Sequence, residues 1–213
     1  RAFVSMTSRV LVGIIDYNSG NIRSVVNAVE SIGAATQRVY NFDQLAGCSH
    51  MILPGVGAFG FCVDRLRESG LLLALESWAL KDGKPLLGIC VGMQLMADSS
   101  EEQGRHNGLG WIGGSVRKLE KNSNAGIRVP HVGWNEVVFS ESLGLFKSGE
   151  SVDFYFDHSF AYHDPTLGCE VGFCRHGCQF SAIVRRDNIL AVQFHPEKSQ
   201  TAGMRLLESF LEL

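Results

Sequence analysis

No stretch of this 213-residue sequence approaches the roughly eighteen consecutive apolar residues that a membrane-crossing helix needs. No run of lysine or arginine occurs either, and 19 basic residues against 22 acidic ones leave a net charge of −3. A nucleic-acid or anionic-membrane surface leaves a basic footprint, so neither partner is expected. The opening "RAFVSMTSR" lacks the long apolar centre of a secretory signal. Residues 1–9 read as an N-terminal extension, with Met6 a candidate initiator, and residues 10–213 as a single domain. Internal repeats and low-complexity linkers are missing too.

Zinc-type CxxC halves are also lacking. The cysteines fall at positions 48, 62, 90, 169, 174 and 178. A chain of this length can bury a full core without staples, so these read as reduced thiols in a cytoplasmic compartment. The cluster Cys169, Cys174, His176 and Cys178 matches no standard zinc spacing. No metal is expected there, and no cofactor elsewhere.

What the sequence does hold is an alternation of short apolar runs and helical periodicities. Val10 to Asp16 reads as a strand ahead of the loop "YNSGN". Ile22, Val25, Val26, Val29 and Ile32 recur at helical spacing within Asn21 to Ile32, with Gly33 as a stop. Thr36 to Tyr40, Met51 to Leu53 and Pro85 to Ile89 read as strands, and Leu71 to Leu80 and Val91 to Asp98 as helices. Beyond Gly113 short β-rich segments dominate, among them "EVVF", "VDFYF", "FSAIV" and "ILAVQF". Ala202 to Leu211 closes the chain as a helix carrying Met204, Leu207 and Leu211 on one face. This order predicts an α/β fold: an open, mostly parallel sheet with antiparallel additions and helices on both faces.

One stretch, "LLGICVGMQ" (Leu86 to Gln94), holds a cysteine between two glycines at the end of an apolar strand. Either Cys90 is a buried thiol with small neighbours, or the backbone turns sharply there to present sulfur. Strand, Gly-x-nucleophile-x-Gly, helix is the nucleophile-elbow arrangement. It needs glycines because side chains at the flanking positions would collide with neighbouring elements. Sulfur would then sit at a helix N-terminus that favours thiolate, with the Val91 amide facing the same space as one oxyanion donor.

Such a thiol wants a base. His195 in "AVQFHPEKS" ends an apolar strand, as Cys90 does, and reactive groups of α/β sheets collect at the carboxyl ends of strands. Glu197, two residues on, is placed to hold the imidazole tautomer, giving a Cys-His-Glu set. "PGVGAFG" (Pro54 to Gly60) reads either as an ordinary glycine turn or as one that aims backbone N–H groups at a reacting carbonyl. His131 in "VPHVGWNEV" and His158 in "FDHSF" are alternative bases without an acid placed like Glu197. Trp134 is either a core plug or, if exposed, a partner contact.

In this order PGVGAF, GICVGMQ, PHVGWN and QFHPEKS resemble the class I (triad) glutamine amidotransferases, and more narrowly the glutaminase subunits of imidazole glycerol phosphate synthases. The resemblance runs from "IIDYNSGNIRSV" to the final helix. It implies that Cys90 attacks the glutamine amide, that His195 and Glu197 move the proton, and that Val91 with Val56 or Gly57 holds the oxyanion. Gly55, Gly57, Gln94, His158, Ser159 and Phe160 match positions that embrace glutamine. Asn18, Asn21, His131, Trp134 and Asn135 match positions facing a separate (β/α)8-barrel cyclase, which uses the ammonia to form imidazole glycerol phosphate and AICAR in histidine biosynthesis. Departures from the family pattern are Val91 for leucine, Asp157 for an apolar residue and Phe160 for tyrosine. Two rival readings use the same triad: a paralogous subunit serving nucleotide-sugar amidation, and a stand-alone γ-glutamyl hydrolase.

Overall fold

The computed structural model describes residues 10–121 and 126–213; the expected extension at 1–9 lies outside the described residues. In chain order they form β1 (Leu11–Ile15), α1 (Ile22–Ser31), β2 (Ala35–Val39), β3 (His50–Gly55), α2 (Phe59–Glu68), α3 (Leu72–Glu76), β4 (Leu86–Cys90) and α4 (Val91–Gln94). There follow β5 (Ser99–Ser100), β6 (His106–Asn107), β7 (Ser115–Lys118), β8 (His131–Phe139), β9 (Ser151–His158), β10 (Phe160–His163), β11 (Glu170–His176), β12 (Cys178–Arg186), β13 (Ile189–Val192) and α5 (Gln200–Leu211).

The parallel body of the sheet runs β2-β1-β3-β4-β13. β3, β4 and β13 are buried along their whole length, which is why they read as unbroken apolar runs. β12 joins β13 antiparallel, and the sheet continues β12-β10-β7-β5-β6, with β11, β8 and β9 branching from β12. The second half therefore extends the same sheet, as its short β-rich segments imply.

Three helical details differ from expectation. α2 follows directly on the glycine-rich turn and buries Phe59, Cys62, Val63 and Leu66, a helical stripe that the turn signal obscures. α4 stops at Gln94 instead of Asp98, because the carbonyls of Leu95, Met96 and Ala97 accept from the Leu109–Ile112 backbone. On α5 the buried stripe is Gly203, Leu206, Leu207 and Phe210, while Met204 faces out. The helix expected over Leu71 to Leu80 is present, as α3 continued by a π-helical turn over Ser77–Lys81. Among the described residues no helix is long and apolar enough to cross a membrane.

Candidate active site

Cys90 ends β4 with φ +53° and ψ −111°, a conformation that side chains rarely adopt and that packing must enforce. The enforcement comes from the glycines around it. A Cβ on Gly92 would run into the Leu53 carbonyl, and one on Gly88 would lie 2.9 Å from the Gly92 oxygen. Gly55 pairs with Cys90 across the β3–β4 ladder, and a Cβ there would come within 2.7 Å of the Gly92 nitrogen. Gly55 thus packs against the turn, and it is not among the residues that line the cleft.

β13 lies parallel to β4 with Val192 opposite Ile89, so the chain beyond β13 arrives beside the elbow. There His195 Nδ1 lies 2.8 Å from Glu197 Oε1, with both side chains almost fully buried. Since the carboxylate takes Nδ1–H, Nε2 is the ring atom left to serve Cys90. Burial opposes the imidazolium form. The interaction with the neighbouring Cys90, and then that with Glu197, outweighs it and raises the His195 pKa.

A cleft of about 190 Å³ opens over the sulfur. It brings together Val56, Gly57, Cys90, Val91, Gln94, His158, Ser159, Phe160 and His195 from the expected set. Glu197 stands behind His195. Gly57 has φ +104°, and the Val56 carbonyl accepts from Ser19 Oγ at 2.8 Å and from Cys62 at 3.4 Å. The cleft also contains Glu102, Asp157 and Lys198, which sequence reasoning did not assign to it. The Lys198 ammonium lies 3.6 Å from the Asp157 carboxylate. Gln193 was missed as well: fully buried, it points Nε2 at Cys90 Sγ across 3.9 Å. A lone glutamine in the apolar run "ILAVQF" was its only signal.

The residues expected to face a partner divide. Asn18 and Trp134 are exposed, Trp134 to 48%, and Asn21 is half-buried. His131 is buried and bonded to His158 and Asn135, so its contacts are internal, contrary to expectation. Asn135 bonds inward to His131 and to the Arg175 carbonyl. The "HVGWN" segment is the start of β8. In the cysteine-rich segment Cys169 and Cys174 are buried, Cys178 is exposed, and His176 stacks on His131.

An elbow cysteine, a buried His-Glu pair and a small polar cleft at the carboxyl edge of a parallel sheet define the class. Residues 13–213 match the family described as Glutamine amidotransferase class-I, and the chain belongs to that family. The solved PurLQS structure from Thermotoga maritima has the same fold, with a TM-score of 0.68 at 20% identity, covering 96% of this chain and 98% of that one. Within the class, the chain is 44% identical to imidazole glycerol phosphate synthase subunit HisH of Zymomonas mobilis, covering 94% of this chain and 95% of the relative. It is 43% identical to the HisH subunit of Bdellovibrio bacteriovorus, covering 95% of this chain and all of the relative.

Proposed function

We propose that this chain is the glutaminase subunit of an imidazole glycerol phosphate synthase, acting in histidine biosynthesis. The observation that carries the chemistry is the convergence of Cys90, His195 and Glu197 on one cleft, with sulfur on a strained elbow. The Cys90 thiolate adds to the side-chain amide carbon of glutamine, and the oxyanion is held by the Val91 N–H. A second donor comes from the Val56 or Gly57 amide after the turn rearranges. His195 gives its Nε2 proton to the departing nitrogen, so ammonia leaves and a γ-glutamyl thioester remains. His195 then takes a proton from water, which attacks the thioester and releases glutamate and Cys90. Glu197 keeps the imidazole in one tautomer throughout. Gln94, Ser159 and Phe160 flank the substrate.

The ammonia passes to a (β/α)8-barrel cyclase partner, which docks where Asn18, Asn21 and Trp134 lie. Residues 10–213 act as one domain, in the cytoplasm, where the free thiols persist. The test is coexpression with a candidate cyclase barrel and glutamine carrying ¹⁵N in its side-chain amide. Label in the imidazole product supports the reading. A barrel that takes up only free ammonia, with this chain present and glutamine in excess, refutes it.

A further inference from the structure

Two histidines that the proposed chemistry does not use are buried beside the cleft. The β8–β9 register sets His131 opposite His158, with His131 Nδ1 2.9 Å from His158 Nε2. On its other side His158 places Nδ1 2.8 Å from the Phe160 carbonyl oxygen. A carbonyl only accepts, so His158 carries its proton on Nδ1 and presents a lone pair at Nε2. His131 Nδ1–H is then the donor to that lone pair, which leaves His131 Nε2 an acceptor. Asn135 Nδ2 meets it at 3.1 Å and also donates to the Arg175 carbonyl at 3.0 Å. Every hydrogen points the same way, from Asn135 through both rings to the Phe160 carbonyl.

That carbonyl has a second donor. Gln94 Nε2 reaches it at 2.9 Å and reaches Gln193 Oε1 at 3.1 Å. Both amide hydrogens of Gln94 are thereby committed to protein acceptors, and Oε1 is the group it offers to the cleft it lines. We infer that His131 and His158 are positioning residues for glutamine: they anchor the Phe160 carbonyl and so hold the Gln94 amide with its oxygen toward the N–H groups of the substrate. The inference rests on the reading of the cleft as a glutamine site.

The surroundings keep both rings neutral, as the chain of bonds requires. Burial, then the neighbouring His158 and His176, hold His131 down to about 3. Burial holds His158 down to about 4; the Phe160 carbonyl and Asp157 oppose this, and His176 and His195 reinforce it. Phe156 and Phe180 supply the apolar walls.

Long-range ¹H–¹⁵N spectra of the full chain at neutral pH test the bond chain without any variant. The expected result is a neutral ring with its proton on Nδ1 at both positions; an Nε2 proton or an imidazolium on either overturns the inference. The positioning role is tested by inactivation of Cys90 with 6-diazo-5-oxonorleucine, a glutamine analogue, beside iodoacetamide, which needs no glutamine site. Mass spectrometry reads the modification at Cys90. His131→Leu is expected to raise the half-saturating analogue concentration about five- to tenfold, the loss of roughly one hydrogen bond, and to leave iodoacetamide alkylation unchanged. His131→Asn, which keeps an N–H where Nδ1 stands, is expected to recover most of the affinity. Wild-type analogue affinity in His131→Leu, or no recovery in His131→Asn, overturns the role. Failure of the glutamine reading shows separately: wild-type Cys90 takes iodoacetamide, ignores the analogue, and the positioning role falls with it.

Discussion

Replacing Glu197 by glutamine keeps the shape of the side chain and removes its charge. The carboxylate is almost fully buried and 2.8 Å from His195 Nδ1, so water screens the pair little. A hydrogen bond to a charged group is worth about 1.5–3 kcal/mol and a neutral one about 0.5–1.5, a difference of about 1–2 kcal/mol. At about 1.4 kcal/mol per pH unit, the imidazolium pKa moves by about one unit. The sign follows from the balance at His195: burial lowers its pKa, Cys90 and Glu197 raise it, and the raising contributions prevail. Removing one of them lowers it. In the proposed mechanism the ammonia-releasing step needs the imidazolium proton, so activity in Glu197→Gln should fail at lower pH than in the wild type. Glutamate release, followed as kcat/KM from neutral to alkaline pH, should show its alkaline limb shifted acidward by about one unit, with about tenfold less activity beyond it. An alkaline limb that stays in place, or moves upward, refutes this reading of the pair.

Gly92→Ala should destabilise the fold by about 3 kcal/mol or more, since its Cβ meets the backbone carbonyl of Leu53, which cannot step aside; chemical denaturation measures it. Acid should weaken the protein through His131 and His158. Their folded pKa values are depressed, so the stability they confer is present above the unfolded value of about 6.5 and is lost as pH falls toward about 4 for His158, roughly 3 kcal/mol at most from that ring. Denaturant midpoints at neutral pH and near pH 4.5 should differ less in His131→Leu than in the wild type. Trp134→Ala, at a position 48% exposed, should weaken association with the proposed cyclase partner more than it weakens the fold; an unchanged titration affinity removes Trp134 from the proposed interface.

The elbow and the His-Glu pair were readable in the sequence because their determinants are local. The elbow lies within Gly88 to Gly92, and His195 and Glu197 are two residues apart, so adjacency stands in for geometry. The parallel strands were readable for a related reason: burial on both faces makes them unbroken apolar runs. What was missed depends on pairing between distant segments. Nothing local announces that His131 will face His158, 27 positions further on, or that Gln193 will turn toward Cys90. The end of α4 is likewise set by the Leu109–Ile112 backbone, which competes for its carbonyls. The stripe of α2 was present, but the glycines before it pointed to a loop.

The central claim is that Cys90 forms a covalent bond with the glutamine side chain. Rapid mixing with saturating glutamine, acid quench and peptide mass spectrometry tests it most directly, with the assembled complex as the enzyme. The account predicts one γ-glutamyl group on the Cys90 peptide during turnover, none in Cys90→Ala, and no glutamate release by that variant. Glutamate release by a folded Cys90→Ala at the wild-type rate would contradict it.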